Sequence, residues 1–453
     1  MRNFFIRTKS YRLGVCNNIS ASSKYLKKIT GLLIIALFCN VTVNAQQAVT
    51  SDIKTSKAVM DGFMDKRFGM FIHWGPVTLR GTEIGWSRGE EVPTQEYDNL
   101  YKEFNPVLFD AEAWVKTAKD AGMKYVTITA KHHDGFCLWP TDFSNYNIMN
   151  SPFKRDVVDE LAKACKKYGI AFCVYFTVAD WHDADYSKKT PESMKVFVSR
   201  MENELKEIIT RYKPYMLWFD GNWEEQWKLE HGAEVYKFIK SLDKDVIVNN
   251  RLGKGDHYSF SSASVGDYLT PEQKIGDLNM NDPWESCITI CNQWAWKPND
   301  KMKSLKECIQ TLVKTAGGNG NLLFNVGPMM DGRIEARQTE RLKEMGDWLN
   351  KYGASIYGTK GGPYKPNSAY AATRKGNIVY LHVFERIADK LVLPALGNAA
   401  IKKAYFLDGD KVSFVQSKNS QIEINLPAVL PNKVSSVIVL ELDKNAEELA
   451  VIK

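Results

Sequence analysis

Long hydrophobic runs are scarce in this 453-residue chain. The one candidate lies within Lys24–Gln47, "KYLKKITGLLIIALFCNVTVNAQQ". It is too short to cross a bilayer comfortably, so no stable membrane insertion is expected. Charge of one sign is also lacking once the first 45 residues are set aside. The formal +7 comes from Arg2, Arg7, Lys9, Arg12, Lys24, Lys27 and Lys28, with no acid among residues 1–45; beyond them, 53 basic residues face 53 acidic ones. That balance gives no reason to expect a nucleic-acid partner. No C-x-x-C pair occurs, which argues against a zinc ribbon. No H-E-x-x-H occurs, and no G-x-G-x-x-G follows the first β-like run, which argues against a dinucleotide-binding sheet. The glycine-rich "GNGNLLFNVGP" (Gly318–Pro328) lacks the G-K-[ST] of a phosphate loop, so its glycines are read as flanking a buried strand.

The short apolar run has the form of a targeting segment. A basic patch precedes it, and Val43-Asn44-Ala45 supplies small residues for cleavage. Residues 1–45 are therefore expected to be a signal peptide, with the mature chain exported to the periplasm or beyond the cell. Six cysteines remain after it: Cys137, Cys165, Cys173, Cys287, Cys291 and Cys308. An even number in an oxidising compartment permits disulfides. Cys165, Cys173, Cys287 and Cys291 fall inside apolar runs, where buried free thiols are expected instead.

From about residue 60 to 355, β-like runs alternate with amphipathic helical ones. The runs are "GMFIHWG" (Gly69–Gly75), "KYVTITAKH" (Lys124–His132), "IAFCVYFT" (Ile170–Thr177) and "YMLWFDG" (Tyr215–Gly221), followed by "DVIVNNR" (Asp245–Arg251), "VGDYLTPE" (Val265–Glu272), "WESCITICN" (Trp284–Asn292) and "NLLFNVGP" (Asn321–Pro328). Eight near-continuous apolar strands with helices between them point to a (β/α)8-like barrel over residues 46–358. Its weak stretch is Leu252–Pro283, where no good helix flanks the sixth run. After Tyr357–Tyr364 the texture changes to short alternating strands split by Gly, Asn, Asp and Pro. Residues 359–453 are expected to form a C-terminal antiparallel β-sandwich.

In such a barrel the carboxyl ends of the strands line the active-site face. Those ends carry His73-Trp74, His132-His133-Asp134, Trp218-Phe219-Asp220, Asn249-Asn250-Arg251 and Glu272, with Tyr175 on the third strand, and the seventh run opens on Trp284-Glu285. Each residue alone has a structural explanation, as a hydrogen-bonding histidine, a turn aspartate or a helix cap. Together they describe a polar pocket with aromatic walls and two carboxylates, the minimum equipment for hydrolysing a sugar bond. Asp220, hemmed by Trp218, Phe219 and Trp223 and near Arg251, suits an ionised nucleophile. The proton donor should be a glutamate of raised pKa, and both Glu272 and Glu285 are candidates. A metal site built from His73, His132, His133, Asp134 and His182 is the competing chemistry. Neighbouring His132 and His133 point to opposite faces if the strand persists, which disfavours it, although a bulge could turn both inward. No metal and no cofactor are expected.

The segments "RFGMFIHWGP" (Arg67–Pro76), "AKHHDGFCLWPT" (Ala130–Thr141), "SPFKRDVVDELAKACKKYGI" (Ser151–Ile170), "MLWFDGNW" (Met216–Trp223) and "GNGNLLFNVGPMMDG" (Gly318–Gly332) resemble glycoside hydrolase family 29, the retaining α-L-fucosidases. The resemblance implies a (β/α)8-like barrel followed by a β-sandwich, and an exo-acting enzyme that removes terminal α-L-fucose from glycans through a covalent fucosyl-enzyme. It implies Asp220 as nucleophile, and His73, His132 and His133 as contacts to fucose hydroxyls. Tyr175, Trp218, Arg251 and Trp86 are carried over as further sugar-pocket residues. Where the family often has Glu directly before that tryptophan, this chain has Gly85, and Glu83 is the nearest replacement. Glu272, in "DYLTPE", matches an acid/base pattern of some members; Glu285, in "PWESC", matches a second family motif and stays an alternative. A catalytically weak fucose-binding protein on the same fold is the rival reading.

Overall fold

A computed structural model describes residues 53–261, 264–416 and 421–452. The expected signal peptide, residues 1–45, lies outside them. Seven strands run parallel in one curled sheet: β1 (Phe68–Ile72), β2 (Tyr125–Lys131), β3 (Ala171–Thr177), β4 (Met216–Asp220), β5 (Ile247–Val248), β6 (Glu285–Thr289) and β7 (Asn321–Val326). Their spatial order is β5-β4-β3-β2-β1-β7-β6. Residues 265–272 bridge the two edges: Asn249 pairs with Tyr268 and Arg251 with Val265 on one side, Leu269 with Trp284 and Glu272 with Cys287 on the other, all parallel. The eighth element of the barrel is thus present as isolated bridges instead of a regular strand.

Its irregularity has local causes. Pro271 has no N–H to give to a ladder. Gly266, at φ 136, passes so close to β5 that an added Cβ would sit 2.3 Å from the Asn249 carbonyl oxygen. Asp267 uses its carboxylate where a strand would use its backbone, accepting from the Val248 N–H at 2.8 Å. β5 is cut to two residues for a similar reason. The Asn249 side chain bonds both the N–H and the carbonyl of Phe219, replacing a backbone rung.

Helices between the strands follow the expected pattern. In Val157–Tyr168, Asp156 caps the first turn by accepting from Asp159 N, and Val157, Val158, Leu161, Ala164 and Cys165 bury one stripe. Gly169 (φ 70) ends the helix in a left-handed turn that feeds β3. Strand alternation then sorts side chains. Phe71, Tyr125, Cys173, Tyr175, Met216, Trp218, Cys287 and Leu323 fill the barrel interior, while their neighbours in sequence pack against the helices. Phe63, from the helix Lys57–Met64, closes the lower end against Tyr125 and Tyr268.

The C-terminal strands are β8 (Lys360–Gly361), β9 (Tyr370–Lys375), β10 (Ile378–Val383), β11 (Lys390–Leu393), β12 (Ile401–Phe406), β13 (Phe414–Gln416), β14 (Ile422–Asn425) and β15 (Ser436–Leu442). They form a five-stranded sheet, β12-β15-β10-β9-β8, and a three-stranded sheet, β11-β14-β13. Leu381, Ile438, Leu440, Leu393, Ile422 and Ile424 pack between the two. The other face of the larger sheet, through Ala371, Tyr380, Val437 and Val439, joins the core that covers the barrel helices. All six described cysteines are buried and free.

Candidate active site

The carboxyl ends of the barrel strands enclose a cavity of about 270 Å³. Its lining includes His73, Trp86, His132, Tyr175, Trp218, Asp220, Trp223, Arg251, His257, Glu272 and Trp294. This is below the ~300–1,000 Å³ of pockets for drug-sized ligands, a size for one sugar ring and not a chain of them. Half-exposed Trp86 (51%) and Trp223 (45%) stack at the mouth, ring centres 6.0 Å apart and 18° from parallel.

Asp220, the last residue of β4, sits on the cavity floor. Its Oδ1 accepts from Arg251 Nη1 at 2.8 Å, its Oδ2 accepts from the Tyr175 hydroxyl at 3.3 Å, and His133 Nε2 lies 3.6 Å from Oδ2. Burial alone would raise this carboxyl, but the Arg251 charge and His133 more than offset it and hold it well below the usual range. Asp220 is thereby held in its ionised form. Arg251 is itself fixed, its Nε donating to Thr270 Oγ1 and its Nη2 to the Thr270 carbonyl, both at 3.0 Å. The same Nη1 that holds Asp220 also donates to Glu272 Oε2 at 2.9 Å. One guanidinium nitrogen therefore bridges the two carboxylates.

His73 and His132 are tuned to be neutral and directional. Burial lowers His73 to about 3 and puts His132 well below its ordinary value. Asn325 gives its Nδ2 to the Trp294 carbonyl at 2.8 Å, so its Oδ1 accepts from His73 Nδ1 at 2.6 Å. That tautomer leaves His73 Nε2 as an acceptor. His132 stacks on Tyr175 at 5.3 Å, and its buried Nδ1 has no partner. A proton there would be stranded, so the favoured tautomer carries it on Nε2 as a donor. An acceptor and a donor side by side are what hydroxyl groups require.

The question of His132 and His133 is answered by the strand end. β2 stops at Lys131, and its register against β3 shifts between Thr129 and Lys131. The two imidazoles, 4.3 Å apart, both turn inward: His132 lines the cavity and His133 stands behind Asp220. His133 Nδ1 pairs with Thr177 Oγ1 at 2.6 Å. The other residues weighed as metal ligands part from them. Asp134 accepts from the Tyr97 hydroxyl at 2.8 Å, and His182 stacks on Tyr146.

Two sequence expectations need correction. Glu285 does not reach the cavity. It is the first residue of β6, beneath the cavity floor and two residues below Cys287, the partner of Glu272; there it is fully buried, accepting from Tyr125 OH, Trp218 Nε1 and Tyr268 OH. Burial pushes it up to about 7, the value an acid catalyst needs, but in a place no substrate touches. Glu83 is not a pocket residue either. It accepts the backbone N–H groups of Ile84, Trp294 and Ala295, and so pins the loop that carries Trp294. At Gly85 (φ 70) an added Cβ would lie 3.0 Å from His132 Nδ1, so the chain passes directly against that imidazole.

Sequence reasoning missed His257 and Trp294. His257, lowered to about 4 by burial, meets Asn222 Oδ1 at 3.0 Å from an irregular loop without periodicity. Trp294, 4.7 Å from the His73 ring, follows the carboxyl end of β6 in "NQWAW", a rim position that carried a readable signal.

The chain matches the model of a family described as alpha-L-fucosidase over residues 36–354. The chain is 31% identical to the tissue alpha-L-fucosidase of Rattus norvegicus over 84% of this chain and 89% of that protein, and 29% identical to that of Homo sapiens over 89% and 94%. Among solved structures, a family GH29 alpha-L-fucosidase from Bacteroides thetaiotaomicron superposes with a TM-score of 0.80 at 31% identity, covering 88% of this chain and 97% of that one. A trapped covalent intermediate of a GH29 alpha-L-fucosidase from that organism, formed with 2-fluoro-fucosyl fluoride in a glutamate-to-glutamine variant, gives a TM-score of 0.79 at 31% identity, covering 86% and 97%.

Proposed function

The chain belongs to the alpha-L-fucosidase family, glycoside hydrolase family 29, and on that premise we propose that it is an exo-acting, retaining α-L-fucosidase. The observation that carries the mechanism is the shared Arg251 Nη1. The bonds to Asp220 and Glu272, 2.8 and 2.9 Å, bound the distance between those two oxygens by their sum. Carboxylates whose oxygens share one nitrogen are close neighbours, which supports the tighter ~5–5.5 Å spacing of retaining pairs over the ~6.5–9.5 Å of inverting ones.

In the first step Asp220 attacks the anomeric carbon while Glu272, protonated, gives its proton to the departing glycosidic oxygen. In the second, Glu272 as carboxylate takes a proton from water, which attacks the same carbon and releases Asp220. Glu272 suits this two-way traffic because its side chain is 38% exposed, so protons and water can reach it. Arg251 and Tyr175 keep Asp220 ionised and oriented. The His73 acceptor and His132 donor hold sugar hydroxyls, while Trp86, Trp218, Trp223 and Trp294 wall the ring. The small cavity favours a terminal residue of a fucosylated glycan. The leader read from residues 1–45 makes the enzyme an exported one, periplasmic or extracellular, testable by fractionating cells with and without that segment.

The catalytic proposal is tested by following hydrolysis of an aryl α-L-fucoside by proton NMR. First-formed α-L-fucose supports double displacement; first-formed β-L-fucose defeats it.

A further inference from the structure

Glu285 is a charged-type side chain that the mechanism above does not use, sealed where no cation meets it. Among the described residues no Lys or Arg pairs with it; its partners are the three neutral donors Tyr125, Trp218 and Tyr268. Burying an acid among Phe71, Met216 and Leu323 is costly, and packing alone would be served by a neutral residue. The geometry shows where its influence goes. Glu285 Oε1 accepts from Trp218 Nε1 at 3.1 Å, which fixes the indole against rotation in its plane. One contact of that indole is Arg251, 4.6 Å from the ring. Another is Tyr175, stacked at 5.5 Å and 18°. Arg251 and Tyr175 are the two groups that hold the two oxygens of Asp220. When ionised, Glu285 also makes the π-face more electron-rich through the indole N–H, which strengthens its hold on a guanidinium.

We propose that Glu285 is a positioning residue for the reaction: through Trp218 it sets Arg251 and Tyr175, and through them the nucleophile Asp220. This rests on the assignment of Asp220 above. It gives the second glutamate a part in turnover without contact to the sugar.

The test is a mutant cycle of Glu285→Leu, Trp218→Phe and the pair, assayed on an aryl fucoside and on a fucosyl disaccharide, with and without azide, after folding is checked by circular dichroism. Glu285→Leu should lower kcat about 10–100-fold, the scale of a small misplacement of reacting groups. The loss should be equal for both leaving groups, unrescued by azide, and mostly absent in the Trp218→Phe background. Glu285→Gln, which keeps a carbonyl oxygen for Trp218 Nε1, should recover most of the activity. A loss confined to the disaccharide and rescued by azide would make Glu285 the acid/base and overturn the proposal. So would full activity of a folded Glu285→Leu, or losses that simply add in the double variant. Should Glu285→Leu not fold, Glu285→Gln decides by ¹⁵N-tryptophan NMR. The indole signal that disappears in Trp218→Phe should shift in Glu285→Gln, and an unmoved signal would overturn the proposal. Full activity in Asp220→Ala would instead defeat the nucleophile assignment beneath it, a separate result.

Discussion

Two glutamates thirteen positions apart mark the upper and lower levels of one barrel, and they share little besides their side chain. Glu272 stands at the rim, partly exposed, bonded to a cation that also holds Asp220. Glu285 stands inside the barrel, fully buried, bonded only to neutral donors. The difference comes from strand direction. Glu272 pairs with Cys287, so Glu285 lies two residues further from the rim, far enough to be closed over by the barrel interior. The more perturbed acid is not the catalytic candidate; access to the cavity decides.

The most severe way to probe this division is at the rim. Asp220→Ala should cost roughly 10⁴-fold or more in kcat on any fucoside, the scale seen when a nucleophile is removed. Azide should restore turnover and give β-fucosyl azide. Glu272→Ala should cost about 10²–10⁴-fold on a poor leaving group and far less on an activated aryl fucoside, because acid catalysis is needed only where the leaving oxygen is basic. Azide should then yield the α-anomer. The same assay on Glu285→Leu separates the two levels, since no leaving-group dependence is expected there. Arg251→Lys comes next, with a loss of about 10²-fold: a single ammonium cannot keep the Thr270 anchors and bridge both carboxylates.

The smallest effect concerns stability. Burial raises Glu285 to about 7 in the folded protein, against an ordinary value of 4.5. The folded state therefore binds more protons than the unfolded one between these values, and this group's contribution falls as pH rises through that window. His73 runs the other way: at about 3 when folded, against 6.5, it makes the unfolded state the better proton binder and so favours folding as pH rises from 3 to 6.5. Glu285→Gln removes only the first contribution. Between pH 4.5 and 7 its melting temperature should improve relative to wild type, and parallel curves would contradict the buried-acid description.

How much of this was legible in the sequence follows the same division. The rim residues Asp220, Arg251, Glu272, His73 and His132 could be read because apolar strands end where polar residues begin. The barrel and the following antiparallel sheets were legible from periodicity. Glu285 was misread because a strand's first residue was counted together with the last residues of the others. Asn325 escaped, and Glu83 was given the wrong part, because their work is done through partners far away in the chain: His73 lies 252 positions from Asn325, and Glu83 takes N–H groups at Trp294 and Ala295. The sixth segment resisted for a different reason. Asp267 and Asn249 use side chains in place of backbone rungs, and no hydrophobic period records that substitution.

The most direct test of the central claim, that Asp220 and Glu272 form the retaining pair, is to trap the intermediate. Glu272→Gln is incubated with 2-fluoro-fucosyl fluoride, digested, and the modified peptide mapped by mass spectrometry. One fluorofucosyl group is expected, on the peptide carrying Asp220. Absence of any adduct, or an adduct on another carboxylate, would contradict it.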